Sequence, residues 1–194
     1  MAIFVGNNDK EYKRVPVGLH VGVLYMLVDM GLQRTVYQGQ ERWRHKLYLR
    51  WETPEEKEDD GRPLSIGLFV GANLSPKGNL RPMLEAWRGR PFTEEELKKF
   101  DVAAVLGKAC QINVTHTTKD GKTYENITSV VPLSKGMTAP KATNTLIKYG
   151  PDDTAQHELL PDWIKKKLAE GRPVGSAPAP TVALEADDSS DIPF

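Results

Sequence analysis

From Arg42 to Glu52, mainly apolar side chains alternate with mainly basic ones at every position, which is typical of a half-buried β-strand. Successive side chains of a strand point to opposite faces, so one face is expected to be apolar and the other basic. The first face carries Trp43, His45, Leu47, Leu49 and Trp51. The second face carries Arg42, Arg44, Lys46, Tyr48, Arg50 and Glu52. Because large aromatic side chains are usually buried, we expect Trp43 and Trp51 in the core.

Four further strands are predicted around this one from β-branched and apolar runs bounded by turn residues. The first of them contains Gly18 and Gly22, which predicts a curved or bulged strand. The last two are separated by Asp120-Gly121, a hairpin turn signal. The predicted segments are 15–29, 63–70, 108–118 and 123–131.

Helices are predicted between the third and fourth strands and near the end of the chain. Ser75-Pro76 is a typical helix start, and the segment 93–96 (TEEE) fits a capping box. A short helix over 161–169 follows a loop-like stretch, 134–150. Five strands with a helical insert between strands 3 and 4 is the order of the OB-fold, a five-stranded Greek-key barrel. A β-sandwich with an inserted helix would give the same order.

The chain divides into a body and a tail. We expect an OB-fold domain over 1–133, a loop and short helix over 134–171, and a disordered tail over 172–194, which is rich in Pro, Ala and Ser. The net charge of the 194 residues is zero, but the tail holds one Arg and four carboxylates, and the rest of the chain carries +3. Overall neutrality therefore does not exclude a nucleic-acid partner.

The basic face of the second strand is the main candidate site. Alternate side chains of a strand stand about 7 Å apart, close to the spacing of phosphates along a single strand. Cations for the backbone and an aromatic ring for the bases are what single-strand binding requires. A solvated outer face is the alternative. The predicted DNA-binding residues are Arg42, Arg44, Lys46, Tyr48 and Arg50, together with Lys108, His116, Lys119, Lys122 and Tyr124 near the fourth and fifth strands.

Enzymatic chemistry is not expected. The segment 96–98 (ELK) and Asp101 resemble a nuclease pattern, but acids are also favoured in the first turn of a helix. Cys110 is the single cysteine, which excludes an intrachain disulfide, and its alternation with polar neighbours places it in the core. The four histidines show no metal-ligand spacing, and no phosphate-binding glycine loop occurs. We expect no metal, no cofactor, no membrane span and no secretory signal.

The last residues are an acidic stretch that ends in an apolar tip. Asp187-Asp188 is followed by Asp191-Ile192-Pro193-Phe194. This ending resembles the acidic C-terminal tip of bacterial single-stranded DNA-binding proteins, in which a linker joins an OB-fold to a tail ending in Asp-Ile-Pro-Phe. The resemblance covers about the last eight residues. It implies that Asp187, Asp188, Asp191, Ile192, Pro193 and Phe194 bind partner enzymes.

The body is similar to a family of bacteriophage or prophage single-stranded DNA-binding proteins in the segments 84–90 (LEAWRGR) and 106–110 (LGKAC). The resemblance implies a cytoplasmic protein of the bacterial host cell that coats single-stranded DNA during phage replication or recombination. It would recruit host or phage replication and repair enzymes, and it is compatible with a homo-oligomer. The longer insert and the helix around Trp163 put the tetramer of the bacterial family in doubt. The alternatives are a protein that mimics the host tail and sequesters its partners, and a strand-annealing or recombination mediator.

Overall fold

A computed structural model describes residues 13–37 and 39–175. The protein is mainly β, with a single six-stranded sheet and three short helices among these residues. The strands are β1 (Gly18–Tyr37), β2 (Gln40–Lys57), β3 (Pro63–Gly71), β4 (Ala109–Lys119), β5 (Lys122–Val131) and β6 (Ile147–Tyr149). The helices are α1 (Leu80–Arg88), α2 (Glu94–Lys98) and α3 (Asp162–Glu170).

The strands follow the order β3-β2-β1-β4-β5, and each neighbouring pair is antiparallel. The short strand β6 pairs in parallel with β1 along the edge that β4 leaves free. None of the helices in the described ranges is long and apolar enough to cross a membrane. The predicted mainly β architecture is thus confirmed, with one strand more than the sequence indicated.

β1 is bulged, as predicted, but the bulges do not lie at Gly18 or Gly22. The pairing of β1 with β2 shifts register between Leu24 and Met26 and again between Asp29 and Leu32. Gly22 has a packing role instead. A Cβ added there would lie 3.3 Å from the Ile112 side chain, so glycine lets β1 approach its neighbours closely.

The alternation of β2 is confirmed where it faces the core. Leu47, Leu49 and Trp51 are buried in the main core cluster beneath α1. Trp43 was expected in the core, but it is only half-buried. It lies on the part of β2 that extends beyond β3, where the Arg172 guanidinium stacks 4.0 Å from the centre of its ring. β2 also runs to Lys57, so half of the acidic stretch after Glu52 is strand.

The helical insert begins later than the sequence predicted. Ser75-Pro76 was expected to start a helix, whereas α1 begins at Leu80. The Ser75 hydroxyl accepts a hydrogen bond from the Lys77 N–H, and the Ser75 carbonyl accepts one from the Gly78 N–H. These local bonds close a turn and satisfy the backbone without a helix. The capping box of α2 is confirmed, with reciprocal bonds between Thr93 and Glu96.

A second core lies on the other face of β1 and β2, and the sequence did not predict it. The segment after β5, residues 132–171, crosses that face; we call it the covering segment. It contributes Ile147, Leu160 and Ile164, which pack against buried side chains of the two strands. Those strand residues are Tyr25, Met26, Val28, Met30 and Tyr48.

The covering segment continues directly to the sheet edge. The N–H and C=O of Arg172 both bond to Leu32 of β1, at 2.9 and 2.8 Å. The first residue of the predicted tail therefore belongs to this edge. The remainder of the tail from residue 176 onward lies outside the described residues.

Candidate nucleic-acid interface

The basic row of β2 keeps a common face. Because the register shifts between β1 and β2 add residues to β1 only, and the shift against β3 comes after Thr53, the alternation from Gln40 to Thr53 is unbroken. Arg42, Arg44 and Lys46 therefore share one face, about 7 Å apart, and all three are half-buried. Three of the predicted DNA-binding side chains thus form one row.

Most of this row lies on a hairpin arm that projects beyond the sheet. β3 pairs with β2 only as far as Lys46, and β1 and β2 continue together to Tyr37 and Gln40. We call residues 32–37 and 39–45 the arm. It carries three arginines, and the carboxylate of Glu41 forms an ion pair with Arg34. The arm is a two-stranded ribbon with a cationic surplus.

The base of the arm is fixed by a charged hydrogen-bond network. Asp29 Oδ1 accepts hydrogen bonds from the Gly31 N–H at 2.8 Å and from His45 Nε2 at 2.7 Å. Burial alone would raise the pKa of Asp29, but the bonds from His45 and Gly31 outweigh it and lower that pKa. Gly31 has a φ of +64°, which a glycine adopts without strain. These contacts set the direction in which the arm leaves the sheet.

Tyr48 does not offer an exposed stacking surface, which corrects the sequence prediction. Its side chain is only 5% exposed and its ring lies 4.7 Å from Phe69 and 5.2 Å from Trp163, between ring centres. Its hydroxyl lies over Gly67, where any Cβ would be only 2.0 Å away. Burial raises the pKa of Tyr48 to about 12. Because the covering segment packs over it, Tyr48 is a core residue.

The far end of the row is also built into the fold. Arg50 is half-buried, and its Nε donates to the Ser65 hydroxyl at 3.0 Å. Glu52 is fully buried and accepts three hydrogen bonds from the covering segment. The donors are the Thr143 N–H at 2.5 Å, the Asn144 N–H at 2.9 Å and the Asn144 side-chain amide at 2.6 Å. Glu52 therefore anchors the covering segment to β2.

Sequence reasoning missed an aromatic and basic surface on the covering segment. Trp163 of α3 is 43% exposed, and its ring lies 6.3 Å from that of Phe69. Lys167, one helical turn after Trp163, places its ammonium 5.6 Å from the centre of the Phe69 ring. The spacing of a Trp and a Lys four residues apart was visible in the sequence, but its position over β2 and β3 was not.

The hairpin between β4 and β5 lies elsewhere on the molecule. Asp120 and Gly121 both have positive φ, at 52° and 73°, as expected for a two-residue hairpin turn. Lys119 and Lys122 flank this turn and are exposed, and Tyr124 is half-buried. The pairing of β4 with β1 ends at Gly18, so the hairpin and the arm lie at opposite ends of β1.

His116 and Lys108 are not joined to the row either. His116 Nε2 lies 2.8 Å from the Val15 carbonyl, so its ring fixes the chain that enters β1. The neighbouring Glu125 carboxylate accepts a bond from the Val15 N–H, and burial raises the pKa of Glu125. Lys108 is exposed in the turn before β4, where its carbonyl accepts a bond from the Leu24 N–H.

The residues considered for enzymatic roles make structural contacts. Glu96 binds Arg90 and Arg88 and closes the capping box with Thr93; these bonds lower its pKa to about 2. Asp101 accepts a bond from the Ala103 N–H at the start of a 3-10 turn. Cys110 is fully buried, and burial raises its pKa to about 12. Within residues 13–37 and 39–175, no three His, Cys, Asp or Glu side chains are grouped to hold a metal ion.

Comparisons with protein-family models and with curated proteins give no match for this chain. The six predicted partner-binding residues lie outside the described part of the chain. These are Asp187, Asp188, Asp191, Ile192, Pro193 and Phe194.

Proposed function

We propose that this protein binds single-stranded DNA with little sequence preference and has no catalytic activity of its own. The observation that carries the proposal is the basic row of Arg42, Arg44 and Lys46 on one face of β2. A row of cations with a spacing near that of nucleotide phosphates suits a flexible, extended strand. Such binding would coat and protect single strands during phage replication or recombination in the bacterial cytoplasm.

We also propose that the sheet is an OB barrel. Its support is the strand order β3-β2-β1-β4-β5 and the two helices that connect β3 to β4. The end strands β3 and β5 come within 8 Å of each other between Cα atoms, as the curvature of a barrel requires. In OB-folds the face of strands 2 and 3 and the loops after strands 1 and 4 bind ligands. The support for this interpretation is that the basic row belongs to the second strand and that the two basic hairpins follow strands 1 and 4 in chain order.

The test is the salt dependence of binding to a labelled thymidine oligonucleotide, measured by fluorescence anisotropy. For single strands, the logarithm of affinity falls with the logarithm of salt by about 0.7 for each phosphate neutralised. The triple variant R42E/R44E/K46E should reduce this slope by about 2 and weaken binding more than tenfold at low salt.

A matched control carries the same charge change on the β3–β4 connection. Lys77, Lys98 and Lys99 are exposed there, and K77E/K98E/K99E should retain most of the affinity. Equal losses in the two triple variants would contradict the assignment of the site to β2. Equal affinity of the unaltered protein for duplex and single strands would contradict the function itself.

A second proposed function is the recruitment of replication or repair enzymes through the C-terminal tip. The observation that favours it is the sequence of the last residues, an acidic stretch ending in Asp191-Ile192-Pro193-Phe194. An aromatic anchor next to acidic residues suits an apolar pocket rimmed by cations. Because many tails would be displayed on coated DNA, avidity would strengthen recruitment.

Deletion of residues 187–194 separates this function from the alternatives. The shortened chain should bind oligonucleotides at least as well as the full chain and lose binding to enzymes that recognise such tips. A tail mimic that only sequesters partners would bind no DNA in either form. A strand-annealing mediator would in addition accelerate pairing of complementary oligonucleotides.

A further inference from the structure

We propose that the base-stacking surface of this protein lies on its C-terminal helix, with Trp163, supported by Phe69 of β3, as the platform. The inference rests on the proposed single-strand binding and assigns residues that the strand pattern did not include. It replaces Tyr48, whose ring is buried under the covering segment, by the aromatic residues that lie above and beside it.

The Trp163 ring is exposed and held in place at the same time. It makes edge-to-face contacts with Tyr48 at 5.2 Å and with Phe69 at 6.3 Å between ring centres, with interplanar angles of 88° and 70°. These contacts fix the indole orientation, while 43% of the residue stays accessible to solvent. A rigid, partly exposed ring can stack on a base with little loss of side-chain entropy.

Cations surround this platform. Lys166 and Lys167 follow Trp163 by three and four residues, so they lie on the same side of α3. Lys166 is exposed, and the Lys167 ammonium lies 5.6 Å from the centre of the half-buried Phe69 ring. The Lys165 ammonium forms an ion pair with the Glu158 carboxylate at 3.1 Å, so it is less available to a bound phosphate. A large aromatic group exposed among cations is complementary to a nucleotide, which combines an aromatic base with an anionic phosphate.

The platform also continues the basic row of β2. Tyr48 is directly opposite Phe69 in the β2–β3 pairing, and Lys46 is opposite Gly71. Lys46 is therefore about 7 Å along the strand from the residue beneath Trp163, on the same face. A strand bound along Arg42, Arg44 and Lys46 would reach Trp163 within one or two nucleotides. The C-terminal helix thus completes the site that the strand begins.

The experiment measures the affinity of the full chain for two oligonucleotides of equal length. One consists of thymidines and the other of abasic residues. W163L removes stacking but keeps an apolar side chain against Tyr48. It should weaken binding to the thymidine oligonucleotide by about 5- to 160-fold, which corresponds to the loss of one stacked base. Binding to the abasic strand and the salt slope should stay unchanged, because the phosphate contacts remain.

W163F and L159A are the matched controls. W163F retains an aromatic ring and should keep the affinity within about threefold. It should also lose most of the decrease in tryptophan fluorescence that DNA binding causes in the unaltered protein. Trp51 and Trp87 are buried, and Trp43 is covered by Arg172, so Trp163 should dominate that signal. Leu159 is exposed in the same segment, and L159A should bind normally.

Four outcomes separate the proposals. Loss of thymidine affinity in W163L with unaltered abasic binding supports the stacking site. Unchanged thymidine affinity in W163L, or an equal loss for both strands, overturns it while leaving single-strand binding intact. Absence of salt-dependent binding by the unaltered protein overturns the proposed function itself. Single-stranded RNA of the same length, bound more tightly than DNA, would reassign the ligand.

Discussion

The covering segment should depend on one buried carboxylate, Glu52. This residue is fully buried on β2, and its two carboxylate oxygens accept bonds from two backbone N–H groups and one amide of Thr143 and Asn144. Each hydrogen bond to a charged group contributes about 1.5–3 kcal/mol. Removal of this acceptor leaves three neutral donors without it, and each buried donor left unsatisfied costs about 1–3 kcal/mol.

We therefore expect E52A to lower the free energy of unfolding by about 3–5 kcal/mol and E52Q by about 1.5–3 kcal/mol. The glutamine keeps one acceptor oxygen but turns an NH₂ group toward donors. Both variants should also accelerate hydrogen exchange at the Thr143 and Asn144 amides, because these lose their acceptor. Urea unfolding gives the first quantity, and exchange followed by NMR gives the second.

E55Q is the matched control, since Glu55 is exposed on the same strand and the charge change is identical. It should stay within about 0.5 kcal/mol of the unaltered protein. If E52Q were as stable as E55Q and left both amides protected, the role of Glu52 as an anchor would be refuted. Destabilisation without faster exchange at these amides would place the effect outside the covering segment.

Two further predictions concern single residues. G67A should destabilise the fold by about 1–3 kcal/mol in thermal unfolding, because an added Cβ would lie 2.0 Å from the Tyr48 hydroxyl oxygen; no change would mean that Tyr48 can move aside. Glu96 should titrate with a pKa of about 2 in NMR, since Arg90, Thr93 and Arg88 favour its charged form. Because this pKa is lowered on folding, its stabilisation is present above about pH 4.5 and is lost as the pH falls toward 2, and E96Q should remove that part of the pH dependence. If Glu96 had the ordinary pKa of a glutamate, its hydrogen bonds with Arg90, Thr93 and Arg88 would not stabilise its charged form.

Local patterns determined most of the strands. The alternation of β2, the Asp120-Gly121 turn and the capping box of α2 each depend on residues within a few positions of one another. Backbone geometry and local hydrogen bonds act over that range, so these elements could be predicted. The start of α1 could not, because the local bonds of Ser75 favour a turn as well as a helix.

The site was predictable only in part. The sequence by itself determined that Arg42, Arg44 and Lys46 share a face, because a strand has a period of two. Only the tertiary structure decided that Tyr48 is buried, that Glu52 anchors a loop and that Trp163 lies beside the row. The contacts of Glu52 join residues about 90 positions apart along the chain, and no local pattern shows where the covering segment packs, so these contacts depend on packing and buried hydrogen bonds. The sequence thus set which side chains each strand face carries, and long-range burial decided which of them remain accessible to a ligand.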